Sequence, residues 1–115
     1  HHMNHPGKME QYDRITKWHL EQYAYFLDKL KSIKEGNGTL LDNSLVMFAS
    51  GLRDGNRHSP RDLPIIVGGH GGNKINSGQN LIYPLANLYT SWMQAVGMNE
   101  TKFADSTGTL EGILA

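Results

Sequence analysis

The sequence has no cysteine, only four prolines, and no apolar run of the length that a membrane span needs. Without cysteine, the chain cannot form a disulfide, a thiolate nucleophile or a cysteine-ligated zinc site. Neither charge is in excess, because 11 basic side chains balance 11 acidic ones. A neutral chain does not attract a polyanion strongly. We therefore expect neither a nucleic-acid partner nor a membrane span.

The chain has 115 residues, of which 38% are hydrophobic, and this is enough for one compact domain. It begins with two histidines in place of methionine. We therefore expect residues 1–115 to be either a single domain or the C-terminal part of a larger one. The alternative interpretation of His1-His2-Met3 is a remnant of an expression tag.

Apolar residues at three- and four-residue steps predict a long amphipathic helix from about Lys8 to Lys34. Pro6 suits the start of this helix, and Gly36-Asn37-Gly38 suits its end. The residues that define the stripe are Tyr12, Ile15, His19, Tyr23, Phe26, Leu27, Leu30 and Ile33. On this face, His19 is expected to be a hydrogen-bonded core residue. A similar pattern predicts a second amphipathic helix between Pro84 and Gly97.

Two short apolar runs, Ser44–Ala49 and Leu63–Val67, predict strands that are buried on both faces, as in a parallel sheet covered by helices. The expected fold class is therefore α/β, in the order helix, strand, strand, helix. Two strands alone make a marginal sheet, so a second copy or a further part of the same chain is expected to complete it. In the tail from Phe103 to Ala115, three apolar residues are available for docking: Leu110, Ile113 and Leu114.

The loops that follow the two predicted strands, Ser50–Asp62 and Gly68–Asn80, are where an open α/β sheet carries its functional groups. In the first loop, Asp54 and His58 suit a divalent metal ion. Arg53 and Arg57 suit bidentate binding of an oxyanion.

Histidines in two other segments extend this pattern. His1, His2 and His5 precede the long helix, and His70 lies in the second loop. Together with His58 they predict a histidine-rich metal site, although His70 also fits a surface turn, and Asp54 and Arg53 also fit a simple ion pair. The glycines at 68–72 lack the Gly-Lys-Ser/Thr ending of a phosphate-binding loop, and no Gly-x-Ser-x-Gly elbow of a serine hydrolase is present.

Several short motifs combine in a recognisable order: His1-His2-x-Asn4-x-Pro6-x-Lys8, Leu40-Leu41-Asp42-Asn43-Ser44, Gly55-Asn56-x-His58, Asp62-Leu63-Pro64, Gly68-Gly69-x-Gly71-Gly72 and Asp105-Ser106-Thr107-Gly108. Their order and spacing over nearly the whole chain resemble the C-terminal part of bacterial proteins that carry the domain of unknown function 1552. Under this resemblance, His1-His2 is native sequence.

That family is similar in turn to a group placed with the alkaline phosphatase and sulfatase superfamily. The resemblance implies an α/β/α sandwich in which metal ions activate a serine, threonine or formylglycine nucleophile against phosphate or sulfate esters. It also implies that the protein is periplasmic or exported, and that His2 and His58 bind metal with Arg53 nearby. The nucleophile region of the superfamily lies upstream of the matched part, so no catalytic residue is assigned.

The predicted site therefore comprises four metal ligands, His1, His2, Asp54 and His58, for zinc, magnesium or calcium, and two anion-binding residues, Arg53 and Arg57. One departure from the related group is that Ser50 stands where that group has a glutamate after its first strand. This departure favours the alternative function, a noncatalytic binding or structural module of the same fold.

Overall fold

A computed structural model describes all residues from His1 to Ala115. It contains two helices and two small sheets, which confirms a mixed α/β fold. The elements are α1 (Pro6–Ser32), β1 (Lys34–Glu35), β2 (Gly38–Thr39), β3 (Val46–Ala49), β4 (Ile65–Gly68) and α2 (Leu85–Ala95). Neither helix combines the length and the apolar character needed to cross a membrane.

Helix α1 begins at Pro6, as predicted, because proline has no N–H to lose at the first helical position. It ends at Ser32, where Ile33 takes an extended conformation. The glycine signal after it marks the two-residue turn of a hairpin that the sequence interpretation missed. In this hairpin β1 pairs with β2, and Gly36 supplies the positive φ of 57° at the first turn position.

The apolar stripe of α1 is mostly uncovered. No residue of α1 is buried, and only Tyr23, Leu27 and Leu30 of its stripe are partly buried. The prediction that His19 is a core residue is wrong, because it is exposed and its ring contacts the ring of Trp18. The physical reason is length: a helix of 27 residues extends about 40 Å, whereas strands of four residues span only about 13 Å.

Strands β3 and β4 lie where the sequence places them, but they are antiparallel, and the expected parallel arrangement is wrong. Val46 pairs with Gly68, and Ala49 pairs with Ile65. The connection between them, residues 50–64, contains no helix, and a parallel pair needs a crossover that usually is one. The strands are also not buried on both faces, because exposed and partly buried residues alternate along β3.

The register assigns the side chains of this sheet to two faces, since paired residues point the same way. On one face, the Tyr23 ring of α1 lies 5.4 Å from the Phe48 ring, and the Tyr23 hydroxyl donates to the Val46 carbonyl at 3.0 Å. Partial burial there raises the pKa of the Tyr23 phenol. On the other face, Ile65 and Val67 pack against the buried core. Helix α1 and the core thus contact opposite faces of the β3–β4 sheet.

The buried core is assembled by the part of the chain that follows β4. Its four members are Ile75, Leu88, Leu110 and Ile113. The predicted docking of the tail is therefore confirmed for Leu110 and Ile113, and Leu114 packs against the core as a partly buried residue. An isolated bridge between Ile75 and Leu114 fixes the end of the tail.

Helix α2 buries a polar face as well as two apolar residues, Ala86 and Leu88. Asn87, Thr90 and Ser91 are at most 3% exposed, whereas Val96 of the predicted apolar face is 68% exposed. The tail explains the burial of these polar residues, because the Ser91 hydroxyl accepts from the Leu110 N–H at 2.8 Å. Asn87 accepts from the Thr107 N–H and donates to the Thr107 hydroxyl, both at 3.0 Å. Hydrogen bonding makes burial of these polar groups tolerable.

Candidate functional site

The loop that joins β3 to β4 is ordered by its own backbone. An isolated bridge links Asp54 and Ser59, with the Arg53 N–H donating to the Ser59 carbonyl at 2.9 Å. The Asp54 carboxylate closes the turn inside this bridge by accepting the N–H groups of Asn56 at 2.8 Å and Arg57 at 3.3 Å. In this loop Asn56 is partly buried, and His58 is exposed.

The amino-terminal segment binds this turn through Asn56. The Met3 N–H donates to the Asn56 side-chain oxygen at 2.9 Å, and the Asn56 amide nitrogen donates to the Asn4 side-chain oxygen at 3.3 Å. The same amide nitrogen lies 3.2 Å from Nδ1 of His2. The structure therefore brings together two segments that are about fifty residues apart in sequence.

Of the predicted metal ligands, His1 and His58 form the closest imidazole pair. Their ring centroids are 4.6 Å apart and the rings are tilted by 37°. Two rings at this separation can both reach one ion at nitrogen–metal distances of about 2.0–2.1 Å. No group of three or more His, Asp or Glu side chains is placed to hold a metal ion. The residues of this chain therefore fit part of a metal site, and the remaining ligands would have to come from water or additional protein.

His2 is arranged differently from this pair. Its Nδ1 accepts the N–H of Asn4 at 3.1 Å, so the proton of the neutral ring lies on Nε2. Neither nitrogen then has a free lone pair for a metal ion. In this arrangement, His2 packs beside Asn56 and the ring of Tyr12. The centroids of the His2 and Tyr12 rings are 6.1 Å apart.

Asp54 is held in its charged form. The N–H groups of Asn56 and Arg57 that bond to it lower the pKa of this carboxyl, and the charge of Arg57 lowers it further. The second carboxylate oxygen lies 3.7 Å from Nε of Arg57. A negative charge is thus maintained beside the histidines down to acidic pH.

The two predicted anion-binding arginines each face a carboxylate of the same loop. Arg53 forms an ion pair with Asp62 at 2.7 Å, and Arg57 lies near Asp54. All four side chains are more than one third exposed, and such pairs are weak in water. An oxyanion would have to compete with these carboxylates for either guanidinium group.

The antiparallel sheet separates the two loops that a parallel sheet would have joined. The loop with His58 leaves the end of β3, and the segment with His70 leaves the end of β4, so the two lie at opposite ends of the sheet. His70 instead lies close enough to Asp42 for its charge to lower the pKa of that carboxyl, a smaller effect than that of the hydrogen bonds from Thr39. His5 contributes its carbonyl to the first turn of α1.

The residue that organises the cluster, Asn56, was not among the predicted site residues, although it stands in the Gly55-Asn56-x-His58 motif. Two grooves elsewhere do not include the histidines. One, of about 400 Å³, lies between β4 and the extended segment 76–81. The other, of about 670 Å³, lies between α2 and residues that include Leu45 and Phe103. The histidine cluster and these two grooves are therefore separate.

Comparison of the chain with known protein families, with curated proteins and with solved structures found no significant match.

Proposed function

We propose that this chain supplies part of a divalent-metal site of the hydrolase type, acting on phosphate or sulfate esters, within an exported protein of the alkaline-phosphatase-like α/β/α class. The observation that carries the proposal is the 4.6 Å approach of the His1 and His58 rings. These residues come from distant segments, and Asn56 holds the segments together.

Each residue of the cluster has a role in this proposal. His1 and His58 bind the ion, Asp54 adds negative charge beside it, and His2 positions the amino-terminal segment through its bond to Asn4. A divalent ion in such a site polarises an ester oxygen and lowers the pKa of a nucleophile. Since catalytic zinc sites usually have three protein ligands, a further ligand and the nucleophile are supplied by additional protein.

The layering of the fold is compatible with this class. Helix α1 covers one face of the β3–β4 sheet and the core with α2 covers the other. A two-stranded sheet is marginal by itself, so the proposal includes further strands, from the remainder of a longer chain or from a second copy.

A second candidate function is a noncatalytic binding or structural module of the same fold. It is favoured by the way the loop satisfies its own polar groups: Arg53 pairs with Asp62, and the Ser50 hydroxyl donates to the Leu52 carbonyl at 2.7 Å. In that case the histidines stabilise the contact between the amino-terminal segment and the loop, and they bind no ion.

Zinc binding measured by isothermal titration calorimetry separates these candidates. We expect the chain to bind about one Zn²⁺ and the variant His58→Ala to lose this binding, because one imidazole alone is a poor site. The matched control is His19→Ala, since His19 is an exposed histidine on α1 outside the cluster. Histidine ring signals in NMR spectra would identify the ligands.

Equal zinc binding by the chain and by His58→Ala would overturn the metal proposal and support the noncatalytic module. Loss of binding in His19→Ala as well as in His58→Ala would also count against it, because it would show that the histidines bind the ion without regard to their position.

A further inference from the structure

The chain exposes more surface than a folded protein of its size. Its solvent-accessible area is 8381 Å², compared with about 6,300 Å² expected for a compact monomer of 12.9 kDa. Its radius of gyration is 16.5 Å, compared with about 13 Å for a compact chain of this length. The excess of roughly 2,000 Å² is comparable to the area that specific protein interfaces bury.

Much of the uncovered apolar surface lies on one flank of α1. Tyr12, Ile15 and Phe26 are 50%, 57% and 49% exposed. With His19, Gln22 and Lys29, they repeat at alternating three- and four-residue steps. This is the a and d spacing of two helices that pack side by side. This α1 seam consists of Tyr12, Ile15, His19, Gln22, Phe26 and Lys29.

Two further exposed aromatic residues, Trp18 and Tyr25, border the seam one position before His19 and Phe26. Tyrosine, tryptophan and phenylalanine are the residues in which protein interfaces are enriched. The residues of α1 that face the sheet, Tyr23 and Leu27, lie on the other side of the seam. A partner on the seam therefore does not displace the sheet.

We propose that the α1 seam is a homodimer interface, in which α1 packs antiparallel against α1 of a second copy of this chain. A second copy fits because the seam is complementary to itself when the two α1 helices run in opposite directions. Ile15 then lies opposite Phe26 of the second copy, and Tyr12 lies opposite Lys29, an arrangement that permits a cation–π contact. The parallel arrangement would instead place Lys29 against Lys29.

The centre of the reversed seam is polar. His19 lies opposite Gln22 of the second copy, so the imidazole and the amide can form two symmetry-related hydrogen bonds. A polar pair at such a position fixes the register and orientation of a helix pair. This use also explains why His19 occupies an apolar stripe without being buried in the isolated chain.

The area of the seam is sufficient for a dimer. The half-exposed large side chains on the seam and its border contribute about 100 Å² each, since an aromatic side chain buries 150–250 Å² in full. They are Tyr12, Ile15, Trp18, Tyr25 and Phe26. Two copies would bury about 1,000 Å² through these residues alone, which is about the area that a biological interface should reach. The absence of net charge removes any general repulsion between copies.

Sedimentation velocity in EDTA tests the interface. We expect a species of twice 12.9 kDa at micromolar concentrations. Ile15→Glu should raise the dissociation constant by roughly a hundredfold, because each dimer would bury two carboxylates against Phe26. The matched control is Met9→Glu, which changes an exposed apolar residue of α1 outside the seam and should leave the dimer intact. Circular dichroism should show that both variants retain α1.

Disulfide trapping tests the orientation, and the absence of natural cysteines makes it unambiguous. An oxidised mixture of Ile15→Cys and Phe26→Cys chains should form a covalent heterodimer, while each variant alone should stay uncrosslinked. Crosslinking of Ile15→Cys with itself would indicate the parallel arrangement and would overturn the proposal. A monomer throughout the concentration series would overturn it as well.

These outcomes are independent of the metal proposal. His58→Ala should leave the dimer unchanged, and Ile15→Glu should leave zinc binding unchanged, because the two residues lie in different elements and do not contact each other.

Discussion

The Asn56 side chain bonds to the backbone of Met3, so a single amide in the β3–β4 connection holds the segment that precedes α1. The same side chain also contacts Asn4 and lies beside His2. The position of the His1 ring against the His58 ring therefore depends on the bond between Asn56 and Met3.

Replacing Asn56 with alanine should release the amino-terminal segment. We expect faster hydrogen exchange at the Met3 amide and a loss of stability of about 1 kcal/mol, because the lost bonds are exposed or partly buried. Asn80→Ala is the control, since Asn80 is exposed and makes no side-chain hydrogen bond. Unchanged exchange at Met3 in Asn56→Ala would contradict this role.

Replacing Gly69 with alanine should be severe. Gly69 has a φ of 91°, and a Cβ atom there would overlap the Ser44 carbonyl oxygen and approach the Leu41 carbonyl oxygen to 2.8 Å. We expect a loss of about 3 kcal/mol or more in chemical denaturation. The comparison is Gly78→Ala, where φ is also positive but a Cβ would meet open space, so that only about 1 kcal/mol of backbone strain is expected. Equal losses of stability at the two sites would contradict this expectation, because they would show that the backbone at Ser44 moves away from the added Cβ at little cost.

Ser91→Ala should destabilise the docked tail. It removes the acceptor of the buried Leu110 N–H, and leaving such a donor without a partner costs about 1–3 kcal/mol. Thr90→Val provides a matched comparison on the same buried helix, because the Thr90 hydroxyl only bonds to the Ala86 carbonyl within α2. The free energy of unfolding should therefore fall more in Ser91→Ala than in Thr90→Val. Hydrogen exchange should locate the effect of Ser91→Ala at the tail.

The pH dependence of stability should reflect Asp54. Its folded pKa is lowered by hydrogen bonds from the Asn56 and Arg57 N–H groups, so its contribution is complete above the usual Asp range near pH 4 and is lost as the pH falls through the lowered value. The stability difference between the chain and Asp54→Asn should therefore shrink as the pH falls below about 4. Urea titrations at several pH values would measure this. Asp13→Asn, on the exposed surface of α1, should show no such trend.

The sequence predicted the parts of this fold that have local signals. Pro6 marks the start of α1, Pro84 and Gly97 bracket α2, and the apolar residues Leu110 and Ile113 mark the docking tail. The orientation of β3 and β4 was missed because a continuous apolar run has the same appearance in both kinds of sheet. The connecting residues 50–64, which lack helical periodicity, contained the signal for an antiparallel pair.

The polar contacts could not be predicted for a different reason. Asn56 and Asn87 each bind partners that are distant in sequence, at Met3 and Thr107, and no spacing rule encodes such pairs. The approach of the amino-terminal histidines to His58 was expected, and the geometry brings His1 to it. The assignment of these residues to a metal ion stays a prediction.

The location of the core has a consequence for how the chain opens. All four buried core residues lie between Ile75 and Ile113, whereas α1 has no buried residue. Segments with few buried contacts open locally at a lower free energy than the global unfolding of a protein. Helix α1 should therefore exchange its amide hydrogens through partial openings that leave the region of α2 and the tail closed, so that the molecule has a hierarchy of stability in place of a single cooperative transition.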